Sequence, residues 1–142
     1  MLLPLFYLYI IYCKIINIEA LTMLDMARKD ILPAMSDYSK ELTEAALKKS
    51  ELFGDIDCSY EKDVIKSISA MLGAAHRTVK KLEEDLLFSK SISDAEKLAD
   101  FYKTTIIDDM RALRISSDEM ETIASAEKWP YPSYGELLFG VR

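Results

Sequence analysis

The sequence predicts an all-α protein, an elongated antiparallel up-down-up bundle of three long helices with an extended aromatic and proline-containing C-terminal tail. Apolar residues recur in alternating steps of three and four along most of the chain, which is the repeat of one helix face. Glycine and proline number only four each among 142 residues, so turns are few and the helices must be long. The hydrophobic fraction of 50% and charged fraction of 30% favour a folded chain over a disordered one.

The chain divides by composition into three parts. Residues 1–14 form an apolar leader, residues 15–128 form the helical bundle, and residues 129–142 form the tail. This length suits one domain with an appended segment.

The first helix is predicted over about residues 17–52, with Asn17 as N-cap and Glu19 in the first turn. Pro33 lies inside it, removes one backbone donor and clashes with the preceding turn, so we expect a kink near Pro33, at Lys29–Leu32. Gly54 follows the end of the helix. The apolar stripe of this helix comprises Ile31, Met35, Tyr38, Leu42 and Ala45.

The second helix is predicted over about residues 60–90, with Ser59 as N-cap and Glu61 and Asp63 in its first turn. Its apolar residues have the regular spacing of a coiled-coil seam. They are Ile65, Ile68, Leu72, Ala75, Val79, Leu82 and Leu86.

The third helix is predicted over about residues 94–127. Ser93 and Glu96 have the spacing of a capping box, in which each side chain accepts from the backbone amide of the other. Its stripe comprises Ile106, Met110, Leu113, Ser117, Met120 and Ala124. At 1.5 Å per residue each helix extends roughly 45 Å, and the short connections make neighbouring helices antiparallel.

The leader differs from the rest because its first charged residue is Lys14. Three interpretations fit it: a short membrane anchor, an apolar strand or helix start that packs on the bundle, or residues read from a wrongly started frame. The uncharged run is shorter than the about 20 residues that cross a bilayer, and a secretory signal would need a basic start and a small-residue cleavage site. We therefore do not expect a membrane partner.

The first helix and the tail each contain more apolar residues than one bundle seam requires, and these residues are candidates for docking. Those on the first helix point in several directions, and those in the tail concentrate aromatic area in a segment whose prolines favour extended backbone. The tail either folds back on its own bundle or anchors a neighbouring subunit or domain. The candidates are Leu21, Met23, Leu24, Met26, Trp129, Tyr131, Tyr134 and Phe139.

Candidate catalytic, cofactor and metal residues are not identified. His76 has no ligand partner at helical spacing, and Asp108-Asp109 and Glu83-Glu84-Asp85 are interpreted as solvated faces because adjacent helical residues diverge. Cys13 and Cys58 lie far apart without a CxxC spacing, which favours free thiols and a reducing, cytoplasmic setting. The net charge of −6 and the missing basic stripe argue against nucleic acid.

Residues 12–139 resemble the C-terminal region of type III glutamine synthetases. The resemblance rests on INIEALTMLDMARKDILPA at residues 16–34, DCSYE at 57–61, ADFYK with the following M and LR at 99–114, DEMETI at 118–123, and KWPYPSYGELLF at 128–139. The first and last motifs are long and unusual in composition.

The resemblance implies a helical module of a glutamate–ammonia ligase, without the catalytic domain. The parent enzyme would use ATP and Mg²⁺ and assemble as stacked hexameric rings, and the partners would be its catalytic domain or neighbouring subunits. No catalytic or cofactor-binding residue of the family falls on this sequence. The alternative is a stand-alone helical interaction module, tethered to a membrane through residues 1–18.

Overall fold

The structure, a computed structural model, describes residues 2–132 and 134–139, with side chains at residues 4–132 and 136–138. This part of the chain is helical and contains no strand, which confirms the all-α class and the bundle of long helices. In chain order the α-helices are α1 (Leu2–Met26), α2 (Leu32–Leu52), α3 (Ser59–Ser89), α4 (Ala95–Phe101), α5 (Ile107–Ile123) and α6 (Tyr134–Phe139).

Helices α1 and α2 form one long rod, joined by a π-helical turn at Ala27–Ile31. The interruption lies where Pro33 predicts one. Proline has no N–H for the carbonyl four residues earlier and its ring crowds that carbonyl, and here the backbone widens so that Leu32 N–H donates to Ala27 O.

The start of this rod differs from the prediction, because α1 begins at Leu2 and includes the leader. Asn17 is therefore not an N-cap. It lies within the helix, and its Oδ1 accepts a hydrogen bond from the Tyr102 hydroxyl at 3.3 Å. A polar side chain that resembles a cap in the sequence thus serves as a contact between helices.

The second rod, α3, starts one residue earlier than predicted. Ser59 is its first helical residue rather than the cap, and its backbone N–H donates to Asp57 Oδ1 at 2.9 Å. Cys58 occupies the cap position and is buried. Glu61, in the first turn, is also buried and pairs with Lys49 of α2, which ties the α2–α3 turn together.

The third rod comprises α4, a second π-helical turn at Tyr102–Ile106, and α5. Its cap is Asp94 rather than Ser93, and the Asp94 carboxylate accepts from Lys97 N–H at 3.1 Å. This π-helical turn contains no proline or glycine that would predict it from the sequence. Tyr102 and Ile106 are buried in it.

The core forms two clusters along the length of the bundle. The first joins α1, α3, α4 and α5, and the second joins α2, α3 and the end of α5. Their fully buried large side chains are Met35, Ile68, Leu82, Ile106, Leu113 and Met120. All six belong to the apolar stripes that the sequence predicts.

The tail departs from the rod direction after Ile123, where Ala124 is extended, and residues 129–132 are not helical. The prediction of an extended tail is wrong further on, because Tyr134–Phe139 form a short helix. The backbone restriction that prolines impose ends at Pro132, so the following residues are free to turn helical.

Among the residues that the structure describes, one helix, Pro4–Leu52, is long and apolar enough to cross a membrane by length and composition. Only 17% of its most apolar stretch is buried inside the bundle. This property alone is weak evidence for a membrane span, since core helices and signal sequences share it.

Candidate docking site

The tail is held against the bundle by a turn that follows α5. The backbone N–H groups of Lys128 and Trp129 both donate to Ser125 O at 3.0 Å. The Lys128 ammonium lies 2.5 Å from a carboxylate oxygen of Glu41 on α2. These contacts return the chain toward the first rod and place the aromatic residues beside it.

Tyr131 forms the second attachment. Its hydroxyl donates at 2.8 Å to Oδ2 of Asp30, which lies in the π-helical turn between α1 and α2. Burial raises the pKa of Tyr131 to about 12, and the Asp30 carboxylate acts in the same direction, so the phenol keeps its proton and remains a donor. The Trp129 and Tyr131 rings meet edge to face, with centroids 6.4 Å apart.

A groove of about 300 Å³ opens where this tail crosses the first rod, beside α5. Its apolar wall includes four of the eight docking residues that the sequence identifies, and Trp129 and Tyr131 also pack on the second core cluster. We call this the tail groove. Its apolar lining comprises Met23, Met26, Ile31, Leu113, Trp129, Tyr131 and Pro132.

The rim of the tail groove is charged. Arg114, Asp118 and Glu121 of α5 line it, and the Arg114 guanidinium lies 4.0 Å from an Asp118 carboxylate oxygen. An apolar floor with a polar rim has the general composition of a protein-binding surface. Methionine in the lining adds adaptability, because its flexible side chain fills irregular gaps.

The other four candidates lie elsewhere. Leu21 is half exposed on α1. Leu24 is buried in the first core cluster, so its side chain already packs within the bundle and is not accessible for docking. The side chains of Tyr134 and Phe139 lie outside the described part of the structure.

The histidine and the two cysteines lie on different parts of the bundle. His76 is exposed, and among residues 2–132 and 134–139 no group of three or more His, Cys, Asp or Glu side chains could hold a metal ion. Cys13 and Cys58 are free and buried, and burial raises the pKa of the Cys13 thiol.

Asp109 corrects the interpretation of its acidic pair as a solvated face. Asp108 is exposed, but Asp109 is 6% exposed and accepts from the Lys81 ammonium at 2.7 Å. Burial raises the pKa of Asp109 to about 6, the neighbouring Asp85 carboxyl acts in the same direction, and Lys81 opposes the shift. The Lys81 ammonium thus lies between the carboxylates of Asp85 and Asp109 and connects α3 to α5.

The sequence reasoning missed the outward face of α1. Leu8, Ile11, Ile15 and Ile18 are all about half exposed or more, although they have helical core spacing. The sequence does contain the pattern that predicts this face. The four residues form a second apolar series in steps of three, four and three, beside the buried series on the same helix.

Comparison with known proteins shows that this sequence is similar to one family. A family model for the glutamine synthetase C-terminal domain matches residues 8–50, which include part of the predicted leader. A glutamine synthetase from Butyrivibrio fibrisolvens is 34% identical over 92% of this chain, and a type-3 glutamine synthetase from Dictyostelium discoideum is 26% identical over 93%. A glutamine synthetase from Bacteroides fragilis is 26% identical over 90% of the chain.

These relatives are much longer proteins. The chain spans 19%, 18% and 18% of their respective lengths. What it shares with them is therefore one region rather than a complete enzyme.

Proposed function

We propose that this chain, which matches the glutamine synthetase C-terminal domain and spans 19% of a 34%-identical relative, is a structural and assembly module of a type III enzyme rather than its catalytic part. In this role it packs against the catalytic domain or neighbouring subunits. The observation that carries the proposal is the 34% identity over 92% of the chain.

The parent reaction, on this proposal, joins ammonia to glutamate with hydrolysis of ATP and with Mg²⁺, in the cytoplasm. The catalytic domain supplies the groups for that chemistry. The present chain contributes a rigid bundle, because each of its three rods buries a continuous apolar stripe against the others.

The tail groove is the contact we assign to this role. Met23 and Met26 on one side and Trp129 and Tyr131 on the other keep apolar area accessible within a wall that the Tyr131–Asp30 hydrogen bond holds in place. Covering such area is favourable by about 25 cal/mol per Å², so a complementary apolar segment of a larger enzyme would be held there.

A chimeric enzyme tests the proposal. The matching region of the bacterial relative with 34% identity is deleted, and in a second form it is replaced by this chain. We expect the deleted form to lose its native particle mass and glutamine formation, the chimera to recover both, and the isolated chain to form no glutamine. Turnover by the isolated chain, or a folded chimera without native mass, would contradict the proposal.

The groove itself is tested within that chimera by Trp129→Ala, with Tyr60→Ala as the matched control. Tyr60 is an exposed aromatic residue at the start of α3, away from the groove. We expect Trp129→Ala to weaken assembly, measured by light scattering after gel filtration, and Tyr60→Ala to leave it intact. Circular dichroism checks that both variants fold, and equal assembly by both would remove the groove from the proposed role.

A further inference from the structure

The outward face of α1 carries a complete apolar seam that the bundle does not use. Leu8, Ile11, Ile15 and Ile18 are between 48% and 64% exposed and follow one another in steps of three, four and three. Ile15 lies two residues after the buried Cys13, about 200° around the helix, so this seam is opposite the face that packs on the bundle. We call it the outer seam.

The spacing assigns heptad positions to the seam. Leu8 and Ile15 take position a, and Ile11 and Ile18 take position d, as in helices that pair by inserting knobs into holes. The next a position is Thr22, whose hydroxyl donates to Ile18 O at 2.9 Å, so the apolar seam ends there.

The charges beside the seam indicate what covers it. Lys14 and Glu19 are the only charged residues among the first 24. Both are exposed, and neither forms a salt bridge within the described part of the chain. Lys14 falls at position g and Glu19 at position e of the next heptad, the two positions whose opposite charges meet across a parallel pair of helices.

We propose that the outer seam binds a second copy of this chain, with the two α1 helices parallel and in register. Lys14 of each copy then lies beside Glu19 of the other, giving two ion pairs. An antiparallel pair with residue 15 opposite residue 11 would instead bring Lys14 near Lys14 and leave Glu19 opposite the uncharged Tyr7. This self-association does not depend on the proposed function.

The exposed area is sufficient for a specific contact. Tyr7 and Leu21 flank the seam and are also more than half exposed. With roughly 100 Å² from each of these six residues, a pair buries on the order of 1,200 Å², the lower end of stable interfaces. Isoleucine at d is typical of parallel assemblies with more than two strands, so a trimer or tetramer satisfies the proposal as a dimer does.

Cross-linking tests the orientation on the full chain. In a parallel, in-register assembly residue 15 meets its own copy, whereas an antiparallel assembly pairs it with residue 11. We expect Ile15→Cys to form an intermolecular disulfide under mild oxidation. Wild type, whose Cys13 and Cys58 are buried, and Lys66→Cys on the exposed surface of α3 should not. No cross-link at residue 15 overturns the parallel register.

A charge exchange tests the partner. Sedimentation equilibrium should show wild type associating, Lys14→Glu and Glu19→Lys each weakening association roughly tenfold, and the double exchange restoring it, because each reversal replaces two attractions by two repulsions. Lys66→Glu is the matched control and should have no effect. The proposal is overturned if the charge variants associate as strongly as wild type, or if wild type is a monomer at every concentration.

A lipid occupant gives a different result in a parallel experiment. The chain is floated with phosphatidylcholine vesicles, and the bound fraction is compared with the sedimentation data. A chain that is monomeric in buffer and floats with the vesicles overturns self-association. We expect it to associate in buffer and to remain in the unbound fraction.

Discussion

The two halves of the first rod have the same inner face and different outer faces. Toward the bundle, α1 buries residues such as Leu24, and α2 buries residues such as Met35. Toward solvent, the 21 residues of α2 include seven charges, whereas the 25 residues of α1 include three. A helix that is apolar on two opposite faces requires two neighbours, and the bundle supplies only one of them to α1.

The comparison extends to the buried carboxylates that face each half. Beside α2, Glu61 pairs with Lys49, and that hydrogen bond is the main cause of its lowered pKa. In the half of the bundle that contains α1, burial raises the pKa of Asp109. The contributions of Glu61 and Asp109 to stability therefore depend on pH in opposite senses.

The largest expected change in unfolding free energy comes from core substitutions, which test whether α1 and α2 pack equally well against the bundle. Leu24→Ala and Met35→Ala should each lower the free energy of unfolding by about 2–5 kcal/mol, because each leaves a cavity in a packed cluster. Chemical denaturation monitored by circular dichroism measures it. Leu47→Ala is the control, since this residue is 61% exposed and its truncation should cost about 0.5 kcal/mol or less. A similarly small cost for Leu24→Ala would mean that α1 does not pack as α2 does.

The second effect isolates Asp109. Its raised pKa means that the folded state binds a proton more tightly than the unfolded state, so stability is lost as the pH rises from about 4 to about 6. Between these pH values the free energy of unfolding of wild type should fall by about 1–2 kcal/mol more than that of Asp109→Asn. This figure allows for solvent screening and for the opposing pKa shift of Asp85. Urea unfolding at several pH values measures it, and parallel pH profiles for the two proteins would refute the assignment.

The third effect has the opposite sign. Since the pKa of Glu61 is lowered in the folded state, its contribution to stability is present above the usual glutamate pKa and is lost as the pH falls below it. Glu61→Gln should therefore lower stability at pH 7 and reduce the difference from wild type in acid. Asp25→Asn is the control, because the Asp25–Lys29 pair is exposed on both sides. Equal losses in these two variants would show that burial of Glu61 does not matter.

The smallest effect on stability distinguishes the outer faces. Ile18 and Leu47 are 64% and 61% exposed, so Ile18→Ser and Leu47→Ser should each change unfolding free energy by about 0.5 kcal/mol or less. At concentrations low enough to keep the chain monomeric, binding of a fluorescent apolar dye should fall for Ile18→Ser and stay near wild type for Leu47→Ser. Equal dye binding by both variants would show that the outer seam is no more accessible than the surface of α2.

The periodic apolar pattern by itself determined the fold class, the three rods and the buried stripes. This worked because helical repetition is local, and residues three or four apart share a face whatever the rest of the chain does. The interruption before Pro33 was predictable for the same reason, since a missing donor acts on its own turn. Of the tail groove, the sequence supplied Met23, Met26, Trp129 and Tyr131 as apolar residues beyond the needs of one seam.

Only the tertiary structure decided which of these residues meet. The junction of Tyr131 with Asp30 joins positions 101 residues apart, and no local pattern specifies such a distance. The same holds for Asn17, which resembles a cap until Tyr102 is placed beside it, and for Asp109, which differs from Asp108 only in the direction of its side chain relative to α3. Local spacing assigns a residue to a face, but burial, pairing and protonation depend on what lies across that face.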